Sequence, residues 1–233
     1  MKKIAVFVEG QTERIFMLRF LSEYLGENKI EIHMEKRLGN RGVKYLGMRK
    51  NPYAEFYILV YDVGGDGNVV SAVKERSQKM IKSAGYSWIL ALRDLYPNSR
   101  AEKKAVIEAF NRIFKKYSYR SKLRLILAVM EIEAWFLADH DLFERLNPTA
   151  TAKTIKERLD IDLIKDDPES YEHPAEKVKA IFNLFDENYK KKEKQSHKIA
   201  ANLDYNYLIC SDEVLKKINS FHYFVKYLDK SLK

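Results

Sequence analysis

Four apolar runs, each closed within a few residues by an acidic side chain, limit the fold of this 233-residue chain more than any other feature. They are residues 4–8 (IAVFV), 56–61 (FYILVY), 88–92 (WILAL) and 123–129 (LRLILAV). Runs of this length, apolar and rich in β-branched and aromatic residues, suit strands buried on both faces. Between them lie helical patterns. From Thr12, Phe16, Phe20, Leu21, Tyr24 and Leu25 recur at spacings of three and four and stop at Gly26. A second helix is expected over 69–83. A third, basic one is expected through Tyr117, with Ser99 as its N-cap and Ala105, Phe110, Ile113 and Phe114 as its apolar stripe. Residues 30–34 (IEIHM) alternate as an edge or half-exposed strand does, and the Gly-rich basic stretch 37–49 reads as a loop or short helix.

Strand and helix alternating at this rhythm specify an α/β fold, a parallel sheet flanked by helices. Beyond Asp139 the strand signals fade, and Pro148, Pro168 and Pro174 punctuate a mostly helical stretch. The expected organisation is a sheet domain over 1–139 and a helical C-terminal appendage over 140–233. The apolar content of 46% is enough to bury a core, which argues against disorder. No apolar run approaches the roughly 20 residues of a membrane helix, and none has the form of a signal peptide, so a cytoplasmic location without membrane contact is expected. The single cysteine, Cys210, leaves no intramolecular disulfide and no cysteine-based zinc site.

The formal net charge is +9, and residues 1–139 carry all of it, with 25 Lys/Arg against 16 Asp/Glu. Basic surface around an acidic centre suits a polyanionic substrate and points modestly toward nucleic acid, with ordinary solubilising charge as the plainer reading. The acids that close the strands are Glu9, Asp62, Asp94 and the pair Glu131/Glu133. Ligands of open parallel sheets bind outside the carboxyl ends of the strands, so these acids are expected to converge on one rim. Clustered carboxylates repel one another, and a divalent cation is their natural compensation. Oxygen donors without cysteine favour Mg²⁺, or Mn²⁺, over zinc. Each acid also has a plainer reading. Glu13 suits the helix dipole, Asp62 with Gly64, Gly65, Asp66 and Gly67 suits a turn, and Asp94 before Pro97 suits a turn start. The glycine stretch lacks the Lys-Ser/Thr of a P-loop, which argues against autonomous ATP hydrolysis.

Three segments carry a family resemblance: Val8-Glu9-Gly10-Gln11-Thr12-Glu13, Asp94-Leu95-Tyr96-Pro97, and Glu131-Ile132-Glu133-Ala134-Trp135-Phe136-Leu137-Ala138-Asp139. The first resembles the VEGxTE opening of Toprim-related proteins. Together the three resemble a Toprim-like family of bacterial defence proteins often encoded beside ABC-type ATPases, as in the effector subunit of the PARIS phage-defence system. That family is related to the Toprim domain of overcoming-lysogenization-defect (OLD) nucleases. Tyr189-Lys190-Lys191-Lys192 and Ser220-Phe221-His222-Tyr223-Phe224 extend the likeness over most of the chain. One departure is that Asp94-Leu95-Tyr96 keeps only the first acid of the Asp-x-Asp usual in Toprim enzymes.

The resemblance implies a Mg²⁺-dependent endonuclease acting on DNA or RNA in antiphage defence, with an ABC-type ATPase subunit as partner and assembly, a homodimer included. A non-catalytic interaction subunit of such a complex is the alternative. In the nuclease reading Glu9, Asp62 and Asp94 ligate metal, and Glu131 and Glu133 complete a second position. Glu13 acts through a water or as a general base. Lys191, Lys192 and Lys198 are the cations available to the phosphorane, with Lys192 assigned to catalysis. Arg14, Arg41, Lys44, Arg93, Arg100, Lys103 and Lys104 are candidates for phosphate contacts, joined by Lys191 and Lys198, and Tyr96 is a candidate for base stacking.

Overall fold

The computed structural model describes residues 1–65 and 69–233. Among these residues one six-stranded sheet forms, in the order β3-β2-β4-β1-β5-β6. Its strands are β1 (Lys2–Val8), β2 (Ile30–Arg37), β3 (Val43–Arg49), β4 (Phe56–Asp62), β5 (Tyr86–Asp94) and β6 (Leu123–Ala128). β1 pairs in parallel with β4 and with β5, β2 pairs in parallel with β4, and β3 runs antiparallel to β2. The four apolar runs are thus four strands of one sheet, and Ile4 to Val8 and Ile58 to Tyr61 are all buried. The helices are α1 (Gln11–Leu25), α2 (Val69–Lys82), α3 (Lys103–Phe114), α4 (Glu133–Leu137), α5 (Leu142–Leu146), α6 (Ala152–Leu159), α7 (Pro174–Leu184), α8 (Glu193–Asn202), α9 (Tyr205–Cys210), α10 (Asp212–Lys217) and α11 (Asn219–Leu232). No helix among the described residues is long and apolar enough to cross a membrane.

The chain forms two compact units that interleave in sequence. The first comprises Met1–Arg93, Ala101–Leu127 and Phe224–Lys233. Val8 of β1 stands opposite Asp62 of β4 on one side and Leu92 of β5 on the other. The chain leaves β1 toward β2 and leaves β4 toward β5, so its direction across the sheet reverses at the β4–β1 pair, the kind of place where open α/β sheets hold ligands. Phe20 of α1 stacks on Phe16 and Tyr24 and meets Phe224.

Two local expectations are corrected in this unit. The stretch 37–49 is not a loop: after a 3-10 turn at Gly39–Arg41 it becomes β3, an edge strand with Val43, Tyr45 and Met48 exposed. Its glycines imitate a loop, its exposed residues show no alternation, and it pairs on one side only. β2 consequently lies inside the sheet, between β3 and β4. In the third helix a 3-10 turn at Arg100–Glu102 precedes α3, and Glu102 rather than Ser99 is the N-cap.

The second unit comprises Asp94–Arg100 and Ala128–Tyr223. It is helical, as the fading strand signals imply. A buried polar relay fixes α4 within it. The Trp135 indole N–H donates to Ser220 Oγ at 2.8 Å, and Ser220 donates to the buried Glu169 carboxylate through its amide at 2.9 Å and its hydroxyl at 2.5 Å. Trp135 also packs edge-on against Phe221. Asp139, 1% exposed, accepts from Arg145 and from the Asp204 amide. Burial raises the Asp139 pKa by more than these bonds lower it.

Candidate functional site

The strand-closing acids fall into two groups, one in each unit, with different surroundings. In the first unit, Gly10 precedes α1, and its backbone N–H donates to Oε2 of Glu13 in the first helical turn at 3.0 Å. This is the reciprocal half of a helix cap, so Glu13 satisfies an orphan amide at the positive end of the helix. A Cβ on Gly10 would stand 3.4 Å from that same oxygen. Glu9 is partly exposed, and its carbonyl accepts from the Gly65 amide at 2.7 Å. This bond ties the turn after β4 to the end of β1.

Asp62 closes β4 with no solvent exposure. Arg14 Nε lies 3.4 Å from its Oδ2 and Lys36 Nζ 4.0 Å from the same atom, while Oδ1 accepts from the Gly64 amide at 2.9 Å. One buried carboxylate therefore has two cations and a backbone donor. That is a satisfied internal ion pair, to which Arg14, also buried, contributes. Asp66 and Gly67 lie outside the described residues.

The second group is built differently. Asp94 Oδ1 accepts from the Ile132 amide at 2.9 Å, which ties the end of β5 to the turn after β6. That turn passes through Met130 at φ 59° and brings Glu131 just ahead of α4, with Glu133 as the helix's first residue. The two glutamates thus lie beyond the end of β6, not on one extended strand. They meet because both reach the same ammonium. Lys191 Nζ lies 3.0 Å from Glu133 Oε2 and 3.5 Å from Glu131 Oε1. The remaining oxygens are also engaged: Tyr189 donates its hydroxyl to Glu133 Oε1 at 2.7 Å, and the Ala175 amide, in the first turn of α7, donates to Glu131 Oε2 at 2.8 Å. Glu133 is fully buried, whereas the Glu131 side chain is 13% and that of Lys191 39% exposed. Burial alone would lower the Lys191 pKa. The carboxylates of Glu133, Asp94 and Glu131 outweigh it and hold the ammonium above the usual lysine range. Lys191 itself sits at φ 50°, a left-handed backbone that side chains larger than glycine rarely adopt.

Sequence reasoning named Lys191 among phosphate contacts and gave the catalytic role to Lys192. In the structure Lys192 is the exposed N-cap of α8, and Lys191 is the one aimed into the carboxylates. Tyr189 had no assigned role. A tyrosine next to a lysine run whose carboxylate partners lie ~60 residues away has no local signature. Lys198 is paired with Glu187 at 2.9 Å. Arg100 is paired with Glu172 and donates to the Tyr171 carbonyl at 3.1 Å. Arg41, Lys44 and Lys104 are exposed, and Arg93 and Lys103 partly so. Tyr96 is exposed and meets the His173 ring edge-on.

Among the described residues no group of three or more His, Cys, Asp or Glu stands close enough to hold a metal ion. Mg²⁺ is usually held by one or two carboxylates, water and substrate phosphate rather than by a protein cage. The oxygen-only, partly exposed donor set of Glu131, with Asp94 in the same unit, fits that mode.

These features define an α/β protein with a largely parallel sheet and a carboxylate–lysine cluster held by its helical unit. The chain belongs to the family described as "Domain of unknown function (DUF4276)", whose profile matches residues 8–228. Two solved structures are similar in outline. The C-terminal region of the Burkholderia pseudomallei OLD protein is 14% identical, with a TM-score of 0.42 and coverage of 92% of this chain and 96% of that one. The C-terminal region of the Xanthomonas campestris pv. campestris OLD protein is 15% identical, with a TM-score of 0.38 and coverage of 98% and 97%. No curated protein matches the chain.

Proposed function

We propose that this protein is a Mg²⁺-dependent nuclease whose phosphodiester chemistry is performed at Lys191, Glu131, Glu133 and Asp94. One observation carries the reading: a single protonated, partly exposed lysine is shared by two carboxylates and sits in the field of a third. Such a cation is preorganised for the charge that develops on a phosphorane, and it stays charged while doing so. Glu133, itself held by Tyr189, fixes its position from the buried side, and Glu131 contacts it through Oε1 from a side chain that is 13% exposed. Mg²⁺, when bound by Glu131 and Asp94, supplies further charge stabilisation at the phosphate. The resemblance of the Val8–Glu13 and Glu131–Asp139 segments to Toprim-like defence proteins supports the same reading. It extends the reading to an antiphage role under an ATPase partner. Glu9 is kept as a candidate on that ground alone.

A second reading, a non-catalytic interaction subunit, is favoured by one observation: all four oxygens of Glu131 and Glu133 already have partners. Expression in cells separates the two, with total RNA and DNA run side by side for wild type and for Lys191→Ala, Asp94→Ala and Glu9→Ala. Degradation of one nucleic acid by wild type, lost in Lys191→Ala and Asp94→Ala, supports the nuclease and names its substrate. Equal behaviour of all four proteins overturns it.

A further inference from the structure

A concave site lined by none of these strand-closing acids remains unassigned. It lies in the first unit, where the end of α3, the 3-10 turn Arg120–Lys122 and the start of β6 surround a cavity of about 560 Å³. Arg112, Lys115, Arg120 and Arg124 line it, with Phe110 and Phe114 beneath. Glu108 is its one acid. None of the four cations has a carboxylate partner among the described residues. Arg120 donates to the Lys115 carbonyl at 3.0 Å and Arg124 to the Leu123 carbonyl at 2.9 Å, which fixes both guanidinium groups and leaves their remaining N–H groups available. The Arg124 guanidinium also lies over Tyr227 at 4.9 Å and over Trp88 at 5.8 Å.

Basic residues at a helix C-terminus ordinarily complement the helix dipole. That accounts for Arg112, in the last turn of α3, and for Lys115. It does not account for Arg120 and Arg124, which come from other elements and face the same cavity. Four like charges gathered around one hollow repel one another, and an anion relieves that repulsion. The volume falls in the range of small-ligand sites, and arginine forks match phosphate oxygens bidentately.

We propose that this cleft binds the phosphate groups of a nucleotide ligand, either along a single strand or as a free nucleotide. The proposal does not rest on the nuclease reading, because it concerns binding by other residues. The test is fluorescence anisotropy of a labelled single-stranded oligonucleotide, with a mononucleotide and inorganic phosphate as competitors, repeated across salt concentrations. The probe variant is Arg112→Ser/Lys115→Ser, whose side chains are exposed and whose only structural part is the weak complement to the α3 dipole, checked by an unchanged thermal melt. The control is Lys50→Ser/Lys194→Ser, with the same change in net charge at exposed sites elsewhere. The expected result is about tenfold weaker binding in the probe variant, and a log–log salt slope shallower by about 1.4, two single-strand phosphate contacts. The control should change neither. Competition by mononucleotide and phosphate assigns the site to the free ligand; binding of the strand alone assigns it to nucleic acid. Equal losses in probe and control variants, or no binding of any phosphate probe, overturn the proposal.

Discussion

Asp62 and Glu133 are both carboxylates with no solvent exposure, yet the structure serves them in opposite ways. Asp62 lies within reach of two cations, Arg14 and Lys36, and accepts from the Gly64 amide. Glu133 shares one ammonium with Glu131. A buried charge that is over-compensated is a structural element, because any further cation would meet repulsion. A pair of carboxylates sharing one lysine keeps an unspent preference for positive charge, and the lysine keeps an exposed side. Burial of an acid therefore does not identify a site; the ratio of acids to cations around it does.

The comparison is open to attack at several points. Arg14→Ala strikes the structural side. It leaves Asp62 buried with Lys36 at 4.0 Å, and a loss of about 3 kcal/mol in urea unfolding is expected. Turnover per folded molecule should not change, and a fall in it would break the distinction. Lys191→Ala strikes the functional side. A loss of about 100-fold in phosphodiester cleavage, or roughly 2.7 kcal/mol of barrier, is expected, as for removal of other preorganised donors. Its stability cost should be about 2 kcal/mol, since the lysine is 39% exposed and the Tyr189 hydroxyl and the Ala175 amide still serve the two glutamates.

A pH series sharpens the same contrast. The Lys191 pKa is raised in the folded protein, because the carboxylates of Glu133, Asp94 and Glu131 outweigh the lowering by burial. A raised cationic group contributes stability that is complete below its unfolded value, about 10.4, and is lost as pH climbs through the folded value. The stability gap between wild type and Lys191→Met should therefore be flat from about pH 7 to pH 9 and shrink only in stronger alkali. A gap that closes near neutrality would mean that the lysine is not held by the carboxylates. The smallest effect is expected for Tyr189→Phe, about 1 kcal/mol, from loss of the 2.7 Å bond to Glu133 in a buried setting.

Much of the sheet was legible because β1, β4, β5 and β6 are apolar runs whose pattern has no competing reading. β3 was not, since its three flanking and internal glycines imitate a loop and its exposed edge carries no alternation. The acids at the strand ends were legible as positions. Their partners were not: Arg14 meets Asp62 across 48 residues and Lys191 meets Glu133 across 58, distances at which a single sequence holds no pairing signal. That is also why one position in a run of three lysines could not be told from the next. The bend at Met130, φ 59°, was hidden for a related reason, since a methionine gives no sign of left-handed backbone.

Calorimetric titration of Mg²⁺ into wild type and into Glu131→Gln goes most directly to the central point, that the shared-lysine cluster has room for more positive charge. Heat of binding in wild type, weakened at least tenfold in Glu131→Gln and unaltered in Asp62→Asn, is the outcome this account requires. Binding that persists in Glu131→Gln and vanishes in Asp62→Asn would place the cation at the wrong carboxylate and contradict it.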